Sequence, residues 1–284
     1  MTDRRLARAH SAYRDDIADL VTRRPVPGPG IDQLDPFLFL NHHGPQTYGP
    51  NNRGLPFGPH PHRGFETVTF IIEGSLTHQD SAGHASIIRA GGVQWMTAGR
   101  GIIHAEISPP DFLQTGGPLE ILQLWVNLPS ALKMTAPAYT GLQRDQIPVI
   151  ERDGASVHLS AGTLDGVSGP VQSLTGMFMS TVELHAGGTV RFDGLAGRAV
   201  FLYVVRGEVE IGAGGEPVQQ FHLAELTDGD AVELSSRTGA LLLFGHGAPL
   251  REPVVAHGPF VMNTRAEIME AISDYQAGRF GPPM

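Results

Sequence analysis

Short apolar runs, broken at frequent intervals by Gly, Pro and Asx residues, set the pattern of this chain. Phe37-Leu38-Phe39-Leu40 reads as a buried strand. Thr67 to Ile72 is β-branched and apolar, Gly74 interrupts it, and Ser75 to His78 continues it. Asp80-Ser81-Ala82-Gly83 predicts a hairpin turn into Ala85 to Arg89, and Ala90-Gly91-Gly92 a second turn into Val93 to Met96. Beyond Gly99-Arg100-Gly101, the runs Ile102 to Ile107 and Leu119 to Leu128 complete the block. Short strands with turns this frequent predict a β-sandwich or barrel. Residues 1 to about 35 read instead as a polar lead-in ending in the turn-rich Pro25 to Gly30. Asn41 to Pro59 reads as loop, punctuated by Gly44-Pro45, Asn51-Asn52 and Gly58-Pro59.

The pattern recurs. Phe201 to Val209 matches Val68 to Leu76: an apolar strand, a charged residue, then Gly. Gly229-Asp230-Ala231-Val232 then matches Gly92-Val93-Gln94-Trp95 at similar spacing, with the slack in a hairpin loop at Gly212 to Gly215. Two copies of one β unit follow, joined near residues 129–150. One helix is predicted at about 265–277. Thr264-x-x-Glu267 is a capping box, Ile268, Ile272 and Tyr275 share a face, and Gly278 is a stop. The expected domains are 1–135 and 136–284, the second ending in that helix.

Composition narrows the chemistry. The 284 residues include 36 Gly and 22 Pro, suited to turns, and no Cys. Disulfides, thiol nucleophiles and thiolate metal sites are excluded, so a metal must be held by Asp, Glu or one of the 13 His. A formal charge of −9 argues against direct nucleic-acid binding. No apolar run approaches the ~18 residues of a membrane span, and Met1 to Leu6 lacks the apolar core of a signal peptide. A cytoplasmic protein with no membrane partner is expected.

Two short motifs carry the chemistry. In His60-Pro61-His62 the imidazoles at i and i+2 share one side of an extended segment, which Pro61 keeps non-helical. His104-Ala105-Glu106 repeats that geometry after the Gly99 to Gly101 hinge. Three His and one carboxylate on adjacent strands form an open N/O donor set for a transition metal. Glu66, four residues beyond His62, is the alternative carboxylate, either as ligand or as a group orienting an imidazole. His78 and His84 flank a predicted turn and are expected at the surface, and His42-His43 in a loop. Trp95 and Trp125 read as core or pocket wall, and Arg63 as a salt-bridge or mouth residue. Equal offsets in the second unit give Asp193, Leu195, Leu241 and Leu243, so that copy is expected to bind no metal.

Gly54-x5-His60-x-His62-x3-Glu66 resembles the first cupin motif, with one residue more than usual before Gly74. Gly101-x-x-His104 resembles the second, without its usual proline. From about Asp35 to Gly281 the chain resembles the pirin family. The likeness rests on His60 to Thr69, Ala98 to Glu106, Gly258 to Asn263, Asp274-Tyr275 and Gly278 to Gly281. The resemblance implies an all-β protein of two cupin-type (jelly-roll) β-barrels packed together, with a short C-terminal helix. It implies that His60, His62, His104 and Glu106 bind one divalent metal in the N-terminal barrel, Fe(II) in the family; Mn, Ni, Cu, Co and Zn suit the same donors. It also implies two functions. One is an oxidoreductase of the quercetin 2,3-dioxygenase type, opening a flavonol or related enol with loss of carbon monoxide and using Glu106 as general base. The other is a non-enzymatic, iron-dependent redox-sensing regulator with protein partners.

Overall fold

The computed structural model describes residues 2–212 and 214–282. The expected all-β architecture of two cupin domains with a C-terminal helix is present. The strands sit where the short apolar runs lie: Ala85–Arg89 and Ile102–Ile107 as expected, Phe65–Glu73 and Gly117–Asn127 within two residues. Among the described residues no helix is long and apolar enough to cross a membrane.

The chain divides into two compact units whose segments interleave. One comprises Arg14–Arg23, Phe37–Arg144 and Leu250–Met284; the other Met1–Tyr13, Arg24–Pro36 and Asp145–Pro249. The linear division at 135/136 therefore gives way at both termini. The lead-in is structured: Leu6–Ser11 is a strand paired antiparallel with His222–Leu226. Two of its buried polar side chains are satisfied in place. The buried Arg4 donates to the carbonyls of Leu195 and Arg198, and His10 pairs with Glu225 at 2.8 Å. The helix, Arg265–Gln276 with the Thr264/Glu267 capping box, belongs to the unit that contains His60. There Phe260, Met262, Ile268, Ala271 and Phe280 form a buried cluster with Ile103.

The sheet that contains Phe65–Glu73 is ordered Ala138–Leu142, Val93–Thr97, Phe65–Glu73, Gly117–Asn127, Phe37–Tyr48, Thr22–Val26, Tyr13–Arg14. The second is ordered Phe57–His62, Ile102–Ile107, Ser75–Asp80, Ala85–Arg89. His42 and His43 lie within the long strand Phe37–Tyr48 and are buried, not in a loop. Gly44-Pro45, which reads as a breaker, is a bulge: register slips between Leu119 and Ile121, and a Cβ on Gly44 would lie 2.3 Å from the Leu119 carbonyl oxygen.

The other unit repeats this topology. Phe178–Leu184 and Ala199–Ile211 flank Ala240–Gly247 as Phe37–Tyr48 and Phe65–Glu73 flank Gly117–Asn127. Thr189–Asp193 pairs with Ala231–Ser235 as Phe57–His62 pairs with Ile102–Ile107. The Gly229 segment thus corresponds to the His104 strand rather than to the Gly92 strand, a shift of one strand from the expected alignment. On these corresponding strands Val190, Phe192, Val232 and Leu234 are part of a buried apolar core. The loop expected at Gly212 to Gly215 contains Ala213, which lies outside the described residues.

Candidate metal centre

Antiparallel pairing sets His104 opposite His60, and strand alternation sets His62 beside it. The three ring centroids are 4.4, 4.8 and 4.9 Å apart. One nitrogen from each ring lies within 4.8 Å of the others. His62 and His104 are buried and His60 is half-buried.

His60 Nδ1 bonds to the Gly58 carbonyl at 2.8 Å and His62 Nδ1 to the Pro259 carbonyl at 3.2 Å. Carbonyls only accept, so both Nδ1 atoms carry a proton, and Nε2 is the atom of each ring that holds the lone pair in its neutral form. His62 Nε2 and both nitrogens of His104 are buried with no hydrogen-bond partner. Burial, helped by His60, pushes the His62 pKa down to about 3; burial and then His62 and His60 push His104 well below its ordinary value. Neutral imidazoles with free lone pairs are the form a metal requires, so the donor set fits a transition metal.

Glu106 stands outside this triad. The register slips between His104 and Glu106, and the carboxylate reaches the facing sheet. There it accepts from Thr69 Oγ1 at 3.1 Å, from Gln123 Nε2 at 2.5 Å and from Gln94 Nε2. Trp125 Nε1 donates to Gln123 Oε1 at 3.3 Å and the Tyr139 hydroxyl to Gln94 Oε1 at 3.4 Å. Each amide is thereby turned with its NH2 toward Glu106. None of these partners was expected from the sequence. Their one signal is a lone Gln within an apolar strand, which burial makes costly unless it is paired.

Glu66 lies between Phe65 and Thr69 on the same strand, and those two contact His62 and Glu106. Alternation turns Glu66 to the opposite face, where it accepts from Thr97 at 2.7 Å and from Trp95. Burial raises its pKa. Trp95 is thus with Glu66 on the face away from Phe65 and Thr69, whereas Trp125 and Phe65 stand 5.3 and 5.0 Å from the His62 ring. Phe39 extends this aromatic wall, 4.7 Å from Trp125.

His78 corrects the surface expectation: it is fully buried, bonded to Asp80 at 3.0 Å and stacked on Tyr139 at 3.9 Å. The turn residue Asp80 points inward, and only His84, also bonded to Asp80, is exposed. Arg63 follows the salt-bridge reading, donating to Asp274 at 2.8 Å and to the Arg100 carbonyl at 2.6 Å.

The pirin family model matches residues 19–126 and the pirin C-terminal cupin domain model residues 179–281. A pirin-like protein of Solanum lycopersicum is 40% identical over 265 residues, covering 92% of this chain and 87% of that one. Pirin of Homo sapiens is 38% identical over 266 residues, covering 91% and 87%. The crystal structure of a quercetin 2,3-dioxygenase from Acinetobacter baumannii superposes with a TM-score of 0.91 at 33% identity, covering 99% of this chain and 100% of that one.

Proposed function

The chain belongs to the pirin family, and from that premise and the buried histidine triad we propose that it is a metal-dependent dioxygenase acting on quercetin or a related flavonol or small enol. The observation that carries this reading is the set of three imidazole nitrogens, on His62 and His104, buried without partners beside a carboxylate held by three donors. His60, His62 and His104 would hold one divalent metal, with Glu106 as fourth ligand; Fe(II) is the family's metal, and Mn, Ni, Cu, Co and Zn suit the same donors. Such a metal would supply Lewis acidity toward the substrate's enol oxygen and, for the redox-active candidates but not Zn, redox access to dioxygen.

The chain's own residues do the rest. A carboxylate has about four acceptor positions, and Thr69, Gln94 and Gln123 occupy three. The one remaining position on Glu106 would serve as the fourth ligand or, freed from that role, as the acceptor of the flavonol 3-hydroxyl proton. The oriented Gln amides keep the carboxylate aimed while that proton arrives. Trp125, half-buried beside the triad, offers a flat face against which a planar ring system stacks, with the buried Phe65 packed behind it. The overall reaction consumes one flavonol and one dioxygen and yields the ring-opened ester and carbon monoxide. Aerobic incubation of protein loaded separately with Fe, Mn, Ni, Co or Cu tests the proposal: quercetin should bleach with release of carbon monoxide, and Glu106→Gln should lose that turnover while keeping its fold. Neither bleaching nor carbon monoxide with any of these metals rejects it.

A further inference from the structure

We propose that the segment from Pro259 to Phe280 is a positioning part of the metal centre, holding the chain around His62 and His104 in the ligating pose, so that its docking and metal binding are energetically linked. The inference rests on the reading of the triad as a metal site.

The segment grips the His62 side first. The Pro259 carbonyl accepts from His62 Nδ1 and, at 3.4 Å, from the Arg63 backbone N–H. This fixes both the tautomer and the ring orientation of His62. Val261 N–H returns a bond to the Arg63 carbonyl at 3.0 Å. Lys133 Nζ donates to the carbonyls of both Gly64 and Val261, at 2.8 and 3.0 Å. The approach is close: with φ +90° at Gly64, a Cβ there would lie 2.0 Å from the Val261 oxygen. Arg63, buried, carries the grip on to the helix through Asp274, with its guanidinium 4.7 Å from the Phe280 ring centroid.

The same segment reaches the His104 side. Ser81 Oγ donates to the Phe280 carbonyl at 2.6 Å and accepts from the N–H of Ile103, the residue before His104, at 3.1 Å. A Cβ on Gly101 would meet the Phe280 ring at 2.6 Å. Arg63 bonds the Arg100 carbonyl, and Gly64 N–H the Gly99 carbonyl at 2.8 Å. The stretches flanking two ligands are therefore tied to one another and to the C-terminal segment. Whatever this tie adds to metal affinity, bound metal must return to the docking of the segment.

The test uses the full chain, stripped with a chelator, and Ni(II) as an air-stable probe titrated against a chromogenic chelator. Asp274→Ala and Ser81→Ala should each bind Ni(II) about 10- to 100-fold more weakly than wild type, the range for loss of groups that orient ligands. In the wild type, saturating Ni(II) should slow hydrogen exchange of the Arg265–Gln276 amides, which a purely structural tail would not show. If wild type binds Ni(II) while both variants bind it equally well, or if helix exchange ignores Ni(II), the inference fails and the triad reading stands. If wild type binds no Ni(II), both fail. The exchange measurement needs no variant, so it decides the matter even if Asp274→Ala does not fold.

Discussion

Lys133 is the only lysine in the chain, and its ammonium is buried. It donates to the Gly64 carbonyl at 2.8 Å, Asn127 Oδ1 at 2.6 Å and the Val261 carbonyl at 3.0 Å. Burial pushes its pKa from 10.5 down to about 8, against an opposing pull from Glu252 and Glu267. Lys133→Met keeps the stem and removes charge and donors. Three buried acceptors then lose their partner, at about 1–3 kcal/mol each. Against this, the variant escapes the cost of burying an ammonium, about 3 kcal/mol for a pKa lowered by this much. The expected net loss at pH 7 is about 3 kcal/mol. The pH dependence is more discriminating. Because the folded pKa lies below the unfolded one, the unfolded chain holds more protons between pH 8 and 10.5, and wild-type stability rises with pH there. The methionine variant lacks this rise, so the stability gap should widen by about 2 kcal/mol between pH 7 and 10. Above pH 10 the buried hydroxyls of Tyr48 and Tyr139, both pushed up to about 12, turn the wild-type trend downward. Urea unfolding of both proteins across this range gives the gap. A 13C label at lysine Cε gives the titration directly, since only one side chain reports. A gap that stays flat from pH 7 to 10, or a Cε titration near 10.5, would refute the reasoning.

Two further outcomes are expected. His62→Ala should abolish stoichiometric metal uptake, while His78→Ala, which removes a partner of Asp80 rather than a proposed ligand, should retain it; both follow from elemental analysis of protein folded by circular dichroism. The metal-free protein should lose stability in acid. His62 and His246 have folded pKa values of about 3, both from burial, so the unfolded chain takes up the protons as pH falls below 6.5. Each costs about 2 kcal/mol between pH 7 and 5 in the unfolding of its own unit, and unchanged urea midpoints over that interval would contradict the burial argument.

Strand alternation made much of this protein legible without coordinates. His60-Pro61-His62 and His104-Ala105-Glu106 could be paired as same-face motifs because period two is a local property of extended backbone. The capping box at Thr264 is equally local, and it forms as expected. What depended on partners distant in sequence was not legible. A polar strand such as Leu6–Ser11 looks like a tail until His222–Leu226 is beside it, and the helix belongs with a barrel that the chain built 150 or so residues earlier, a division set by tertiary contacts. Gly44-Pro45 reads as a break and is a bulge; His78 follows turn logic to the surface and is instead buried on Asp80 and Tyr139. Glu106 could be named, but its donors come from three other strands, at Thr69, Gln94 and Gln123. The carbonyl that orients His62 lies 197 residues away at Pro259. Side-chain periodicity encodes which residues face inward. Only the folded chain decides which buried donor meets which acceptor, because each must find a partner and the register of non-neighbouring strands selects it.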